Sequence, residues 1–305
     1  MFHHFHSKEV QKNGQGSINK KEFESIINFL KKNYNILKPQ DWIYKVEEKK
    51  LKKNDICLTF DDALLSQYTI ALKTLNKFKL KAFWFVYSSV FEGKIDKFEI
   101  HRNFRSLFFK NFDDFFYSFY SHLKKKLKII NRKKYNYFFK YMKKFYPIYS
   151  NNDIKFRFFR DHVLSQIQYN NILKKMMVEK KTDEKKLSKK LWLKNIHLKK
   201  LANNGHIIGM HAYTHPYKLS QLNYKKQLNE LKKNLIHLKS ILKKKPTSIS
   251  YPNGSFNKDT IKIITNFGIK CGFLSNMKSY NSLYPENYVL KRLDHSIIMK
   301  NLLNK

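Results

Sequence analysis

"CLTFDDALLSQY", residues 57–68, decides the reading of this chain. Cys57, Leu58, Thr59 and Phe60 are apolar or β-prone, and they run straight into two adjacent carboxylates, Asp61 and Asp62. "ALLSQYTIALKTLNKFKL" then reads as a helix and "KAFWFVYSS" as the next strand. Strand, helix, strand is the order of a parallel sheet or barrel with helices outside. Carboxylates at the C-terminal end of such a strand lie where the active sites of these folds collect. Capping of the following helix accounts for one aspartate, but not for both.

The same rhythm extends outward in both directions. "GSINKKEFESIINFLKKN" has Asn19 and Glu22 at capping-box spacing, with Ser17 as a rival cap. Phe23, Ile26, Ile27 and Leu30 follow at helical spacing. "YNILKP" and "DICLTF" read as short strands, as do "HIIGMHAYTHP", "PTSISYPNG", "CGFLS" and "YVLKRLD" later on. Between them lie a long helix striped by Leu228, Leu231, Leu235, Leu238 and Leu242, and a helix "NKDTIKIITNFG" stopped by Gly268. From about residue 92 to about 200 the alternation stops. That stretch is dense in Lys, Phe, Tyr and Leu; "FFKNFDDFFYSFYSHLKKKLKII" and "KKLWLKNIHLKKLANNG" read as helices. The expectation is an α/β fold, one domain over 1–305 carrying a helical insertion. The insertion's aromatics pack on one another or over the main domain, or form a lid or a membrane-facing surface.

Lys and Arg number 62 against 23 Asp and Glu, a formal charge of +39. Richness in Lys, Asn, Ile, Phe and Tyr, with only 8 Gly and 6 Pro, is the bias of an AT-rich genome and accounts for much of that excess. The remainder favours anionic partners. Two cysteines, Cys57 and Cys271, imply no disulfide framework and suit a reducing compartment. The opening "MFHHFHSKEVQKNG" lacks the layout of a signal peptide, and no window offers the ~20 apolar residues of a membrane span. A soluble, cytoplasmic protein is expected, with peripheral contact at the inner membrane face open to it.

"GMHAYTHP" places His211 and His215 four residues apart, a spacing that lets two imidazoles meet on one helical turn around a metal. Asp62 completes a two-His, one-carboxylate set with open positions, and Asp61 stands beside it to take a proton from water.

These residues resemble the motifs of the polysaccharide deacetylases of the NodB-homology type (carbohydrate esterase family 4 and relatives). "LTFDDA" is similar to TFDDG; "HAYTH" matches H-[ST]-x-x-H at both histidines, with Ala212 in the Ser/Thr position; "SYPNGSFN" resembles the YPxG form of the third motif. The likeness runs over about 17–90 and 200–295. It implies a distorted (β/α)7-type barrel and hydrolysis of an acetamide, or a related acyl group, on a sugar (a C–N bond other than a peptide bond). It implies Asp61 as general base, and Asp62, His211 and His215 as ligands of a divalent metal, usually zinc. Tyr251 and Asn253 fall in the segment that holds substrate and oxyanion, and His295, in "RLDHSII", corresponds to the acid of a closing L-x-H motif; His101 is the runner-up. Three departures stand out: Ser250 occupies the place of a bracing Arg, Tyr251 that of a Pro, and the fourth motif's Trp is missing. The expected substrate is a surface-glycan precursor carried on a nucleotide or lipid, with nucleic acid an unlikely partner. Two rivals remain: a non-catalytic binder of anionic glycan or nucleic acid on the same fold, and an amidohydrolase of small amides. Retention of Asp61 weighs against the binder.

Overall fold

A computed structural model describes residues 1–7, 14, 16–125, 131–145, 149–277 and 284–303. The chain forms two compact units, Met1–Asp96 with Lys190–Lys305, and Lys97–Lys189.

In chain order the first unit opens with α1 (Lys20–Asn33), β1 (Asn35–Ile36), α2 (Pro39–Glu47), β2 (Asp55–Ile56) and β3 (Thr59–Phe60). A wide helical turn at Gln67–Ala71 leads into α3 (Leu72–Lys77), and β4 (Phe83–Val86) follows. The helical unit holds α4 (Lys97–Phe108), α5 (Phe112–Ser121), α6 (Arg132–Phe145), α7 (Asn151–Phe158), α8 (Gln166–Glu179) and α9 (Glu184–Ser188). The first unit resumes with α10 (Asn195–Asn203), β5 (Ile207–Met210), α11 (Tyr224–Leu242), β6 (Ser248–Ser250), α12 (Lys258–Asn266), β7 (Cys271–Phe273) and α13 (His295–Leu303).

Strands β3 to β7 pair in sequence order and all in parallel; β1 and β2 form a separate parallel pair. Two isolated bridges extend the five-stranded sheet. Phe2 pairs in parallel with Phe60 at one edge, and Leu290 with Phe273 at the other. The two edges then meet: the Met1 nitrogen donates to the Leu293 carbonyl at 2.9 Å, and the His295 N–H to the Met1 carbonyl at 3.2 Å. Seven strand positions thus close into a distorted (β/α)7-type barrel. The expected strand "YVLKRLD" shrinks to the Leu290 bridge, because Arg292 and its neighbours bond outward to other segments.

The interior explains why these residues close a ring. Phe2, Phe5, Phe23 and Phe60 are fully buried and pack ring on ring, with Phe2 4.9 Å from Phe23 and Phe60 4.5 Å from Trp84. Gly209 on β5 has no room for a side chain, since a Cβ there would stand 2.5 Å from the Phe85 ring. On α1 the capping box forms at Asn19, with Glu22 on the Asn19 N–H at 2.6 Å; Ser17 instead bonds Gly14. On α11 Leu231 and Leu238 are buried, and Leu228, Leu235 and Leu242 pack on the same core.

The helical unit has its own aromatic core, in which Phe156 lies 5.2 Å from Phe115 and 5.0 Å from Phe119. Its bounds are narrower than 92–200. Residues 191–193, inside a stretch read as helix, instead run past residues 63–65, with Leu64 bridged to Trp192. The end of the "FFKNFDD…" helix reading, 126–130, lies outside the described residues. Among the described residues no helix is long and apolar enough to cross a membrane.

His101 on α4 is buried, neither ring nitrogen finds a hydrogen-bond partner, and Tyr169 meets it edge-on at 5.2 Å. Burial, helped by the Lys97 charge, lowers its pKa from 6.5 to about 4. The fold therefore favours the neutral ring. That contribution is whole above the unfolded value near 6.5 and is lost as pH falls through the folded value near 4. Thermal unfolding followed from pH 7 down to 4 should show stability falling across this window. His101→Leu should flatten the fall by roughly 3 kcal/mol at its acid end. An unchanged pH dependence would clear His101 of the effect.

Candidate metal centre and active site

Asp61 and Asp62 leave the C-terminal end of β3 and at once diverge. Asp62 has φ 76° and Ala63 φ 56°, two left-handed residues in a row, which throw neighbouring carboxylates to different partners. Neither carboxylate caps a helix. The loop is held by the returning chain: the Leu65 N–H donates to Leu191 O and the Leu193 N–H to Ala63 O, each at 2.8 Å.

The Asp61 carboxylate is buried and meets Arg292 in a two-pronged ion pair, Nη1 to Oδ1 at 2.8 Å and Nη2 to Oδ2 at 2.7 Å. Arg292 also donates to Ser250 Oγ at 2.7 Å, Thr59 Oγ1 at 3.2 Å and the Leu274 carbonyl. Ser250 Oγ in turn donates to Asp61 at 3.1 Å. Burial alone would push the Asp61 carboxyl up; the Arg292 charge, with His211 and the Arg292 hydrogen bonds, outweighs it and holds the group ionised far below the usual carboxylate range. Arg292, at the last strand position, thus stands in for the bracing arginine whose place in the resembling motif is taken by Ser250.

His211 follows β5. Its N–H donates to Asn234 Oδ1 at 2.9 Å, and its Nδ1 donates to the Ser250 carbonyl at 2.7 Å. A carbonyl only accepts, so Nδ1 carries a proton, and in the neutral ring that leaves the Nε2 lone pair for a cation. That Nε2 lies 3.4 Å from Asp62 Oδ1, and His215 Nε2 lies 3.6 Å from the same oxygen. The donor atoms of Asp62, His211 and His215 all fall within 4.8 Å of one another. The histidines do not meet on a helical turn. They meet across a loop in which Ala212 (φ 60°) and His215 (φ 55°) are left-handed, with their rings 4.7 Å apart. Helix α11 holds that loop: Glu230 accepts from the Tyr213 and Thr214 N–H groups at 3.1 and 2.8 Å, and Asn234 also donates to Val86 O and Ser88 Oγ. Two imidazole nitrogens and one carboxylate oxygen, two of the three residues buried, suit a tetrahedral divalent cation with a position left open.

The other expected residues fall as follows. Tyr251 is buried, with its hydroxyl on Tyr288 O at 2.9 Å and its N–H on Phe273 O at 3.2 Å, so both donors serve the barrel wall. Asn253 is exposed in the next turn with φ 52°. Gly254 follows at φ 68°, with Ser275 Oγ where a Cβ would be. His295 stacks on Phe2 at 5.9 Å with Nε2 on Gly16 O at 3.1 Å, and burial lowers its pKa to about 4. Among the described residues no contact joins it to the cluster. His3 does reach the cluster: its Nε2 is 3.9 Å from Asp61 Oδ2 and its Nδ1 3.9 Å from Asp294 Oδ2. Gln67 Nε2 ties the carbonyls of His3 and Asp61 together. Trp192, outside every motif, donates to Tyr87 Oη at 2.7 Å, and the Tyr87 ring lies 5.3 Å from that of His215. His101 belongs to the helical unit.

The fold is a distorted (β/α)7-type barrel with two histidines and two aspartates gathered at the ends of its strands. The family model described as polysaccharide deacetylase matches residues 138–272, a span holding both histidines and Tyr251 but neither aspartate. Similar folds occur in Streptococcus pyogenes deacetylase PplD in complex with acetate (16% identity, TM-score 0.57, covering 100% of this chain and 95% of that one). IcaB from Ammonifex degensii is similar too (14%, 0.54, 96% and 88%), as is the de-N-acetylase from Aggregatibacter actinomycetemcomitans (14%, 0.55, 96% and 92%). A search of curated proteins gave no match. By motifs, family model and fold, the chain is similar to polysaccharide deacetylases.

Arg292→Lys tests the brace. Lysine keeps the charge but loses the planar fork, so some of the bonds to Asp61, Ser250, Thr59 and Leu274 must break. We expect about 2–4 kcal/mol of destabilisation in urea denaturation. A lysine variant as stable as the parent would mean that charge alone suffices.

Proposed function

We propose that this protein is a metal-dependent hydrolase that removes an N-acetyl or related acyl group from a sugar. The observation that carries the reading is the convergence of Asp62, His211 and His215 beside a carboxylate, Asp61, that a buried arginine keeps ionised. A divalent cation, zinc by its donor set, would polarise the acyl carbonyl and acidify a water. Asp61 accepts that water's proton; as an ionised carboxylate it is an acceptor only. In this reading the Asn253 N–H is the backbone donor to the developing oxyanion, since the N–H groups of Tyr251, Gly254 and Ser255 are spent on the Phe273, Tyr251 and Pro252 carbonyls, and Tyr251 sets the turn. The leaving amine needs a proton. We assign it to His3, which stands between Asp61 and Asp294, in preference to His295.

A basic protein suits a substrate bearing phosphate, hence a nucleotide- or lipid-linked precursor of a surface glycan, handled in the cytoplasm with peripheral membrane contact. The 97–189 unit serves there as an insertion of one deacetylase domain. The retained base and its brace favour hydrolysis over simple binding of glycan or nucleic acid.

Acetate release from a panel of N-acetylated nucleotide sugars and oligosaccharides, with metal-stripped and zinc-reloaded protein, tests the reading; no release from any of them would end it. Asp61→Asn should keep its metal stoichiometry and lose turnover by roughly 10²-fold or more. Metal lost along with activity would make Asp61 a ligand instead.

Leaving-group dependence separates the acids. An amine must be protonated to leave, whereas an activated aryl ester needs no such help. His3→Gln should therefore damage amide hydrolysis far more than aryl-acetate hydrolysis, with metal content unchanged, and His295→Gln should not. The reverse pattern would return the role to His295.

A further inference from the structure

Helix α6 of the 97–189 unit presents two unlike faces. Its inner face is aromatic: Tyr135 and Phe138 lie 5.2 and 5.6 Å from the Phe158 ring, and Met142 is buried. On the opposite side Lys133, Tyr137, Lys140, Tyr141 and Lys144 recur at helical spacing, and all are exposed. Tyr137 is 78% exposed and Tyr141 47%.

This outer face is more than the polar side of an amphipathic helix. Arg132, Lys133, Lys134, Lys140, Lys143 and Lys144 lie on α6, and it carries no acidic residue. Lys140 and Lys144 are four apart and repel each other. Arg132, Lys133 and Lys134 crowd the first turn, where the helix dipole disfavours cations. The whole unit holds 24 Lys and Arg against 8 Asp and Glu. An anionic surface would relieve this repulsion. The tyrosines narrow the choice. Phenol rings standing out among lysines suit the headgroup level of a bilayer, where the ring sits at the interface and the lysine stems reach to phosphate. The face is also one convex helix, whereas single-stranded nucleic acid is held in a basic groove.

We propose that the outer face of α6 docks on an anionic phospholipid surface. This is independent of the chemistry at the barrel. The full chain should co-sediment with phosphatidylcholine vesicles containing phosphatidylglycerol, not with phosphatidylcholine alone, and salt should weaken the binding. Lys133→Glu, Lys140→Glu and Lys144→Glu together should lower it about a hundredfold or more, at roughly tenfold or less for each charge removed. Tyr137→Ser should lower it several-fold with the salt dependence unchanged. Thermal melts by circular dichroism check the fold, and the matching Lys→Gln set replaces the Glu set if charge reversal unfolds α6. Affinity unchanged in the substituted chains, or equal binding to neutral vesicles, would overturn the proposal. So would a single-stranded oligonucleotide that displaces the vesicles and loses its own binding through the same substitutions.

Discussion

The Asp61–Arg292 ion pair is the interaction on which the rest depends. It joins the end of β3 to the last strand position, so it spans the seam at which the barrel closes. Both partners are buried, and a buried pair stabilises only when its remaining hydrogen-bonding capacity is filled. Thr59, Ser250 and the Leu274 carbonyl fill it for the arginine. Those three come from β3, β6 and the end of β7, so one guanidinium gauges the position of three barrel walls. The same contacts fix Asp61 in its ionised form beside the Asp62–His211–His215 cluster. Closure of the fold and preparation of the site are therefore one electrostatic event.

The other half of the seam is made by the first three residues. The Phe2 N–H donates to Thr59 O, and the Asp61 N–H to Phe2 O, so residue 2 sets the register of the strand end that carries the two aspartates. Its ring lies between Phe23, Phe60 and His295. Burying a phenylalanine side chain stabilises by about 2–3 kcal/mol, enough to hold a two-bond edge that hydrogen bonding alone would leave frayed. His3 then projects from an anchored backbone, as the acid role proposed for it requires.

Much of this was legible in the sequence. The alternation of short strands and helices, the order of "TFDD", "HAYTH" and "SYPNG", and the leucine stripe of α11 all correspond to described elements, because each is a local pattern repeated over enough residues. The closing edges were not legible, since a strand reduced to Phe2 or Leu290 has no periodicity to read. His3 lay in a segment read only for targeting signals. Arg292 was in plain sight in "RLDHSII", yet 62 basic residues conceal a single buried one. A signal existed. The sequence has six arginines, and Arg292 is the only one outside 97–189. In a composition that drives basic positions to lysine, a retained arginine marks a place where the planar fork is needed. The polar residues of α11 (Gln227, Glu230, Asn234, His237) run alongside its leucine stripe and are overshadowed by it, although Gln227 and Asn234 are buried beside Leu231 and Leu238.

Backbone strain shows the same division between bias and site. Nine non-glycine residues among those described have positive φ. Lys49, Lys79, Lys181 and Lys243 follow α2, α3, α8 and α11, at the left-handed position that usually goes to glycine. Lysine in all four is what a glycine-poor, lysine-rich composition produces, at about 1 kcal/mol each. The other five, Asp62, Ala63, Ala212, His215 and Asn253, sit in the three loops that follow β3, β5 and β6. Composition does not explain them, because none is a lysine and two are alanines, which gain nothing locally from a left-handed backbone. Their strain persists because the surroundings hold it: residues 191–193 on the first loop, Glu230 and Asn234 on the second, and the Tyr251–Tyr288 bond at the base of the third. Strain that is held in place by several independent contacts, at the mouth where the acidic and histidine groups converge, points to the same end of the barrel as the proposed function without reference to any motif.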